Sequence, residues 1–325
     1  MTGVVNSTVN NAVRTSAFIV EQPGMLTLIQ DEGRFGAHRL GLSSGGPADP
    51  LAFHWANRLC GNKLGISALE VSVGGLVLEA NVATRIAVCG AHMPLTINHR
   101  AKSLWRSHQV KPGDRIELGF ASEGVRAYFA VAGGFDIPTI FCSTSTVVRE
   151  SMGGLNGGKL QSDDVLPCKE DLNGRCLMLP RGYRPLYGHH AMLRVIPGYQ
   201  QHSFSRQQQR RFFSHEYVVS AYSDRMGCRL EGAAIRADIG GILSEGICYG
   251  AIQIPPDGQP IILMNDRQTI GGYPKLGSVL SLDVAQLAQL KPGSKVSFEL
   301  ITVEEAHNIH HLAASYFEQV KPEPC

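Results

Sequence analysis

The chain has 325 residues, 43% of them hydrophobic and 18% charged, a composition typical of a globular protein with a large core. Its 30 Lys and Arg residues nearly balance its 28 Asp and Glu residues, so bulk charge does not support binding to nucleic acid or to an anionic membrane. No apolar run approaches the roughly 18 residues that a membrane-spanning helix needs.

The start of the chain, through Ser16, is polar and lacks the apolar stretch of a secretory signal. We therefore expect residues 1–17 to form a flexible extension. The eight cysteines are scattered without a C-x-x-C pair, which favours reduced thiols in a cytoplasmic protein. The neighbouring pairs His189-His190 and His310-His311 lack the spacing of a ligand set, so no metal site is predicted.

The 36 glycines and 17 prolines separate short apolar runs of strand length, which favours a mainly β architecture. In chain order we predict strands at 26–30, 69–73, 85–89, 115–118, 126–131, 193–196, 247–254, 261–263 and 295–301. The predicted helices are few and lie at 49–60, 205–214, 283–290 and 303–318. The first helix has Asp49 as its N-cap and Pro50 at its first position.

Three short patterns occur in the same order in both halves, which indicates an internal duplication. DEGRFG from Asp31 is echoed by DRMG from Asp224, ALEV from Ala68 by AIQI from Ala251, and QVKPGD from Gln109 by QLKPGS from Gln289. We therefore predict related β subdomains at 18–166 and 193–306, joined by a connection at 167–192 and followed by a C-terminal helix and tail at 307–325. A site between the two would draw on both halves.

The segment after the strand at 261–263 is unusually polar and rich in glycine. It places Asn265, Asp266, Arg267, Gln268 and Thr269 side by side, and then Gly271-Gly272, Tyr273 and Lys275. This pattern is typical of a ligand-binding loop, although a polar turn satisfied within the protein has similar composition.

Two other glycine-rich runs resemble catalytic motifs only in part. The run from Gly153 to Lys159 fits a phosphate-binding loop, but Leu160 stands where that loop needs a Ser or Thr hydroxyl. Ser43 lies in a G-x-S-x-G pattern that no hydrophobic strand precedes, so we expect a loop whose backbone amides face a ligand rather than a serine nucleophile.

Long ordered blocks of the sequence resemble one family. They are DEGRFGAHRLG, GGPADPLAFHWANRLCGN, ALEVSVGG, RAYFAVAGGFD, SDRMGCRLEG, LSEGI and GAIQIPPDGQPIILMNDRQTIGGYPKL, between residues 18 and 306. The family is that of the C subunit of prokaryotic 5-oxoprolinase, also labelled biotin-dependent carboxyltransferase or allophanate hydrolase subunit 2, with the Kip regulatory protein A as a relative. The resemblance implies two related cyclophilin-like β-barrel subdomains with a few short helices.

The resemblance also implies an activity that requires partners. Such a chain acts with subunits A and B in the ATP-dependent hydrolysis of 5-oxo-L-proline to L-glutamate, with ATP bound by or shared with the complex. On this basis the proposed catalytic residues are Arg225, Asp266 and Lys275. The proposed substrate-binding residues are Arg34, Gln253, Gln268, Thr269, Gly271, Gly272 and Tyr273. For Arg225, a purely structural ion pair with Asp224 or Asp266 remains open.

Two other functions fit the same family. The chain could be a carboxyltransferase component that moves a carboxyl group from carboxybiotin to urea or a related amide, and only then would biotin be required. It has no A-M-K-M sequence and does not itself resemble a biotin carrier. The third possibility is a non-catalytic regulatory partner of the B subunit or of a Kip inhibitor-like protein. We favour the oxoprolinase on the expectation that no carboxylase or hydrolase segment is fused to this chain.

Overall fold

The computed structural model describes residues 16–325, and the mainly β prediction is confirmed. Residues 1–15 of the predicted extension lie outside the described part, and Ala17, also assigned to it, begins the first strand. No helix in the described part is long and apolar enough to cross a membrane.

The first half folds into two antiparallel sheets with a shared apolar core. The strands are β1 Ala17–Pro23, β2 Leu26–Gln30, β3 Ala68–Ser72, β4 Leu76–Ala80, β5 Thr84–His92, β6 Leu95–Ile97, β7 Arg100–Lys102, β8 Ser107–Val110, β9 Arg115–Leu118, β10 Glu123–Val131 and β11 Val165–Pro167. One sheet has the order β11-β1-β4-β9-β6-β7 and the other β2-β3-β10-β5-β8. Phe18 of β1 meets Phe129 of β10 edge to face across this core, with 5.7 Å between ring centroids.

Helix α1, Pro50–Leu59, packs on the five-stranded sheet against β5 and β10. The helix begins as predicted. The Asp49 carboxylate accepts a hydrogen bond from the backbone N–H of Ala52, and Pro50 has no backbone N–H that would lack a partner in the first turn. The fully buried Phe53 and Tyr128 rings meet edge to face beneath the helix. This contact fixes the helix above the centre of the sheet.

The second half forms a closed barrel of seven strands. After β12, Leu177–Met178, the chain continues through β13 His190–Pro197, α2 Arg206–Ser214, β14 Tyr217–Val219, β15 Gly227–Glu231, β16 Glu245–Gly246, β17 Ala251–Gln253, β18 Ile261–Leu263, β19 Ile270–Gly271, β20 Lys275–Val279, α3 Ser281–Leu287, β21 Lys295–Leu300, α4 Val303–Gln319 and β22 Glu323–Pro324. The strand order around the barrel is β13-β20-β17-β18-β15-β14-β21. Phe212 of α2 stacks on Phe298 of β21, with 4.2 Å between ring centroids, and so fills the barrel core.

One predicted strand is much shorter than expected. The range 247–254 contains only β17, Ala251–Gln253, because Gly250 has a φ of 80° and breaks the extended backbone. The segment before it runs in another direction: β16 pairs with β19 in a separate two-stranded sheet. The polar segment after Met264 is therefore partly a strand rather than wholly a loop.

One of the three repeated sequence patterns, the K-P-G turn, forms the same local structure in both halves. In the K-P-G turns, the N–H of Asp114 donates to Lys111 O and the N–H of Ser294 donates to Lys291 O, both at 3.0 Å. Each turn has a glycine with positive φ, 86° at Gly113 and 87° at Gly293. These equal turns precede β9 and β21, respectively, as a duplicated module requires.

The two halves meet through a polar interface centred on Gln289. Its Oε1 accepts hydrogen bonds from the backbone N–H groups of Val125 and Arg126 at 2.9 and 2.8 Å. Its Nε2 donates to Asp49 Oδ2 at 2.8 Å and to Arg126 O at 2.9 Å. Because Gln289 is only 2% exposed, these bonds lie away from water and fix the relative position of the halves.

Candidate functional site

Arg225 joins the two halves through a buried network of charges. Its Nε and Nη2 bond both carboxylate oxygens of Asp266, at 2.9 and 3.0 Å. Its Nη1 bonds Glu70 Oε1 at 2.5 Å, and Nη2 donates to Gly46 O at 2.7 Å. The three charged side chains are at most 7% exposed. Two carboxylates thus surround one guanidinium, and one of them comes from the other half.

The surroundings of Glu70 keep it ionised. Burial alone would raise the pKa of its carboxyl group, but the charges of Arg225 and Arg126 bring the pKa below its ordinary value. Its second oxygen accepts hydrogen bonds from the Tyr128 hydroxyl at 2.7 Å and the Ala48 N–H at 2.9 Å. Burial raises the pKa of Asp266 above its ordinary value, against the opposing effect of Arg225.

The other residue weighed as a partner of Arg225 has a different role. Asp224 Oδ1 accepts hydrogen bonds from the N–H groups of Met226 and Gly227 at 2.8 and 3.1 Å and so holds the turn before β15. The ion pair with Asp266 that the sequence left open is present. The ion pair between Arg225 and Glu70 was not predicted from the sequence. The repeated patterns had only matched Glu70 with Gln253, its counterpart in the other half.

Arg34 lies beside this network and is fully buried. Its Nε donates to Ile140 O at 3.1 Å and its Nη2 to Ser145 O at 3.0 Å. Among the described residues, Nη1 has no hydrogen-bond partner. The backbone around it is held by Asp31, whose carboxylate accepts hydrogen bonds from the hydroxyls of Ser143 and Ser145. Arg34 therefore braces loops of the first half close to Asp266. Burial lowers the pKa of its guanidinium, against the opposing charges of Asp31, Glu150 and Asp266.

Ser43 contacts both halves at the edge of the same network. Its hydroxyl lies 2.6 Å from Glu150 Oε1 and 2.9 Å from Arg267 O. Its N–H donates to Glu150 Oε1 at 3.0 Å, so the expectation of a ligand-facing amide at this position is wrong. Asn265 adds another link, because its Nδ2 donates to Pro47 O at 3.1 Å.

Lys275 belongs to a second polar cluster. The side chain is buried, and its Nζ contacts Glu245 Oε1. Gln200 connects the two residues: its Nε2 donates to Glu245 Oε1 at 2.7 Å, and its Oε1 accepts from the Lys275 N–H at 2.8 Å. The hydrogen bond from Lys275 lowers the pKa of Glu245.

Gln253 lies opposite Lys275 in the pairing of β17 with β20. A Cβ atom at Gly271 would lie only 2.7 Å from Gln253 Nε2, which places the end of the Gln253 side chain against the backbone of Gly271. Gln253 is 6% exposed. Gln253, Gly271 and Lys275 thus lie together in a cluster distinct from that of Arg225.

The remaining predicted substrate-binding residues are more exposed. Gln268 and Tyr273 are exposed, Thr269 is half-buried, and Gly272 O accepts a hydrogen bond from the Ile242 N–H at 2.9 Å. Thr269 lines a cavity of about 610 Å³ together with His38, Tyr249 and Arg267. Of these residues, the sequence had assigned only Thr269 to a site.

Metal ligation finds no support in this arrangement. Across residues 16–325, no group of three or more His, Cys, Asp and Glu side chains has the geometry to hold a metal ion. The run from Gly153 to Lys159 leads through turns into β11 rather than into a helix, whereas a phosphate-binding loop opens a helix. The charged groups available for chemistry are therefore those of the two clusters and the cavity.

Comparisons with known proteins identify relatives of this chain. A family model described as "Carboxyltransferase domain, subdomain A and B" matches residues 40–300. The chain is 34% identical over 294 residues to the C subunit of 5-oxoprolinase from Haemophilus influenzae, covering 90% of this chain and 94% of the relative. It is 36% identical over 301 residues to the protein of the same name from Escherichia coli, covering 91% and 95%.

A similar solved structure is that of Kluyveromyces lactis urea amidolyase, with a TM-score of 0.89 and 27% identity. The match covers 96% of this chain and 20% of the urea amidolyase, so the chain spans about a fifth of that larger protein.

Proposed function

The chain belongs to the carboxyltransferase domain family, and from this we propose that it is the C subunit of an ATP-dependent 5-oxoprolinase. The observation that carries the proposal is the 34% and 36% identity to two proteins of that name, over 94% and 95% of their lengths. The chain would act with subunits A and B, and it would supply part of the site at which 5-oxo-L-proline is opened to L-glutamate.

The proposed reaction needs activation of an unreactive amide. Transfer of a phosphoryl group from ATP to the lactam carbonyl oxygen releases ADP and gives a better electrophile. Attack of water at that carbon then breaks the ring C–N bond, whose nitrogen takes up a proton, and leaves an acyl phosphate on the opened chain. A second water hydrolyses this acyl phosphate to L-glutamate and phosphate. Cationic side chains near the developing negative charge lower such barriers. Because the run from Gly153 to Lys159 leads into a strand rather than a helix, we propose that the other subunits provide most of the contacts to ATP.

We assign proton transfer to Asp266, because a carboxylate whose pKa is raised by burial is a stronger base and Arg225 holds it with two hydrogen bonds. Lys275 would stabilise negative charge from the neighbouring cluster. Substrate contacts are assigned to the side chains and glycine backbone that lie around these groups, namely Arg34, Gln253, Gln268, Thr269, Gly271, Gly272 and Tyr273.

Co-expression with subunits A and B tests the proposal. We expect glutamate to form from 5-oxo-L-proline only when ATP and all three subunits are present. Asp266→Asn should lower kcat about 100-fold or more, whereas Asp238→Asn, at an exposed position of the same half, should leave kcat unchanged. Full activity without this chain would contradict the proposal, and wild-type kcat in an assembled Asp266→Asn complex would contradict the assignment of Asp266.

A second candidate function is carboxyl transfer from carboxybiotin to urea or a related amide. The similarity to urea amidolyase over 96% of this chain favours it. Here biotin would be carried by another protein. The same purified complex distinguishes the two functions: biotin-dependent carboxylation of urea, without glutamate formation from 5-oxo-L-proline, would support the second one.

A further inference from the structure

The cavity beside the central network contains a buried positive charge without a counter-ion. Arg267 is 7% exposed, yet it forms no ion pair with any carboxylate in residues 16–325. Its Nε donates to Ile247 O at 3.2 Å and its Nη1 lies 3.4 Å from Met264 O. Arg225, buried to a similar degree, has two carboxylate partners. Buried charges are normally paired with an opposite charge, so the absence of such a partner for Arg267 requires an explanation.

The cavity has the volume of a small-molecule site and is broadly open to solvent. Its volume is about 610 Å³, within the usual range for metabolite pockets. None of its lining residues is acidic. Ile247, Ile270 and the ring of Tyr249 give it apolar walls, and Thr269 adds a half-buried hydroxyl. The Tyr249 ring also lies 5.9 Å from the Arg267 guanidinium, which stabilises the cation in place.

We infer that this cavity binds a small organic carboxylate, with Arg267 as its counter-ion and Thr269 as a hydrogen-bond donor. A monoanion matches the single buried cation, whereas a phosphate carries nearly twice that charge. Arg39 also lines the cavity, but its side chain is exposed, so water and salt screen its charge. Burial and the charge of Arg267 lower the pKa of His38, so this lining residue adds no further positive charge near neutral pH. The apolar walls favour an organic ligand over an inorganic ion.

The identity of the carboxylate rests on the proposed function. If the chain is a 5-oxoprolinase subunit, the ligand is the carboxylate of 5-oxo-L-proline. Arg267 would then hold the part of the substrate that does not react. Arg34, Arg225 and Lys275 would then not be needed to bind the substrate carboxylate.

Calorimetric titration of the full chain near pH 7.5 tests the inference with four probes. They are 5-oxo-L-proline, the neutral ring pyrrolidin-2-one, succinate and inorganic phosphate. We expect 5-oxo-L-proline to bind at least tenfold more tightly than pyrrolidin-2-one. Arg267→Gln should remove that difference, and Arg206→Gln, on the exposed face of α2, should not. An unchanged affinity in Arg267→Gln, no binding of any carboxylate to the wild-type chain, or tighter binding of phosphate than of carboxylates would overturn the inference.

The same titration separates this inference from the proposed function. Succinate that binds in an Arg267-dependent way while 5-oxo-L-proline does not would support the carboxylate site and contradict the oxoprolinase. If the cavity binds a carboxylate while 5-oxoprolinase activity persists without this chain, the carboxylate site is again supported and the oxoprolinase function is again contradicted.

A second readout avoids dependence on one variant. Cys248 lines the cavity and is exposed, and Cys142 is an exposed thiol elsewhere. Bound ligand should slow alkylation of Cys248 by iodoacetamide but not that of Cys142, as measured on their peptides by mass spectrometry. Ile270→Trp, which fills the cavity from an exposed position, should weaken binding and abolish this protection. Equal protection of both thiols, or none, would contradict the assignment.

Discussion

Glu70 is an ionised side chain in the middle of β3, with no exposure to solvent. Its charge is compensated by Arg225 from the other half, and its remaining oxygen is bonded to Tyr128 and Ala48. Removing one partner of such a pair leaves the other charge buried and uncompensated, which is more costly than losing the attraction alone. The stability of the molecule should therefore depend strongly on this one carboxylate.

We predict that Glu70→Gln lowers the free energy of unfolding by about 3 kcal/mol near pH 7. Because the folded state lowers the pKa of Glu70, its ionised form contributes stability above the ordinary pKa of 4.5, and this contribution is lost as pH falls through the folded value. The difference between variant and wild type should thus shrink in acid. Urea titrations at several pH values measure it.

The control for this prediction is Glu216→Gln. Glu216 pairs with Lys295 at 3.0 Å, but the two side chains are 47% and 60% exposed. Exposed pairs contribute at most about 1 kcal/mol. Equal losses in the two variants would show that burial does not decide the strength of the Glu70 pair.

At the scale of elements, α4 links the barrel to the first half. It begins with a capping box, in which the Thr302 hydroxyl accepts from the Glu305 N–H and the Glu305 carboxylate accepts from the Thr302 N–H. Near its other end, the Phe317 ring packs edge to face on Trp55 of α1, with 5.0 Å between centroids. The Arg58 guanidinium lies 4.9 Å from the centre of the Phe317 ring.

We predict that Phe317→Ala destabilises the chain by about 2 kcal/mol, because it removes a half-buried ring with both aromatic and cation contacts. Leu312→Ala on the same helix, where the side chain is 70% exposed, should change stability by less than about 0.5 kcal/mol. Chemical denaturation of both variants provides the measurement. A Phe317→Ala variant as stable as Leu312→Ala would mean that the end of α4 does not hold the two halves.

Several elements were predictable because their signals are local. The ranges 26–30, 115–118 and 261–263 form strands with the predicted bounds, and Asp49-Pro50 starts α1 as its N-cap and first residue. The prediction of a single strand over 247–254 failed because β16 pairs with β19, a distant segment, and so directs the chain away from β17 before Gly250. An apolar run cannot reveal which strand it will pair with.

The candidate site shows the same limit. The polar composition of 265–275 drew attention to Asp266 and Lys275, and both are buried in charge networks. Glu70 and Arg225 are far apart in the sequence, so their contact could not be predicted from it. A Glu within the apolar strand ALEVS nevertheless indicated that this side chain has a buried partner. Arg267 was part of the predicted polar segment but was not assigned to the site, because its lack of a charged partner is evident only in the folded chain.

At the scale of the whole molecule, buried polar contacts join the two halves. Gln289 spans it with four hydrogen bonds, Arg225 crosses it to Glu70, and Lys291 Nζ donates to Ala121 O and Ser122 O at 3.0 and 2.9 Å. Such groups are satisfied only when the halves are docked in one position. The two cores should therefore melt together.

We predict a single calorimetric unfolding transition for the wild-type chain and an earlier, less cooperative one for Gln289→Ala. The substitution strips partners from the backbone N–H groups of Val125 and Arg126 and from the Asp49 carboxylate, at about 1–3 kcal/mol for each buried group left unsatisfied. We expect the midpoint to fall by roughly 5 °C or more, and the ratio of calorimetric to van't Hoff enthalpy to rise above one as the halves begin to unfold separately. Gln286→Ala, an exposed glutamine on α3, is the matched control. If the two variants melt alike and with the same enthalpy ratio, docking does not depend on Gln289, and the cooperativity of the molecule must come from its apolar contacts and from Arg225.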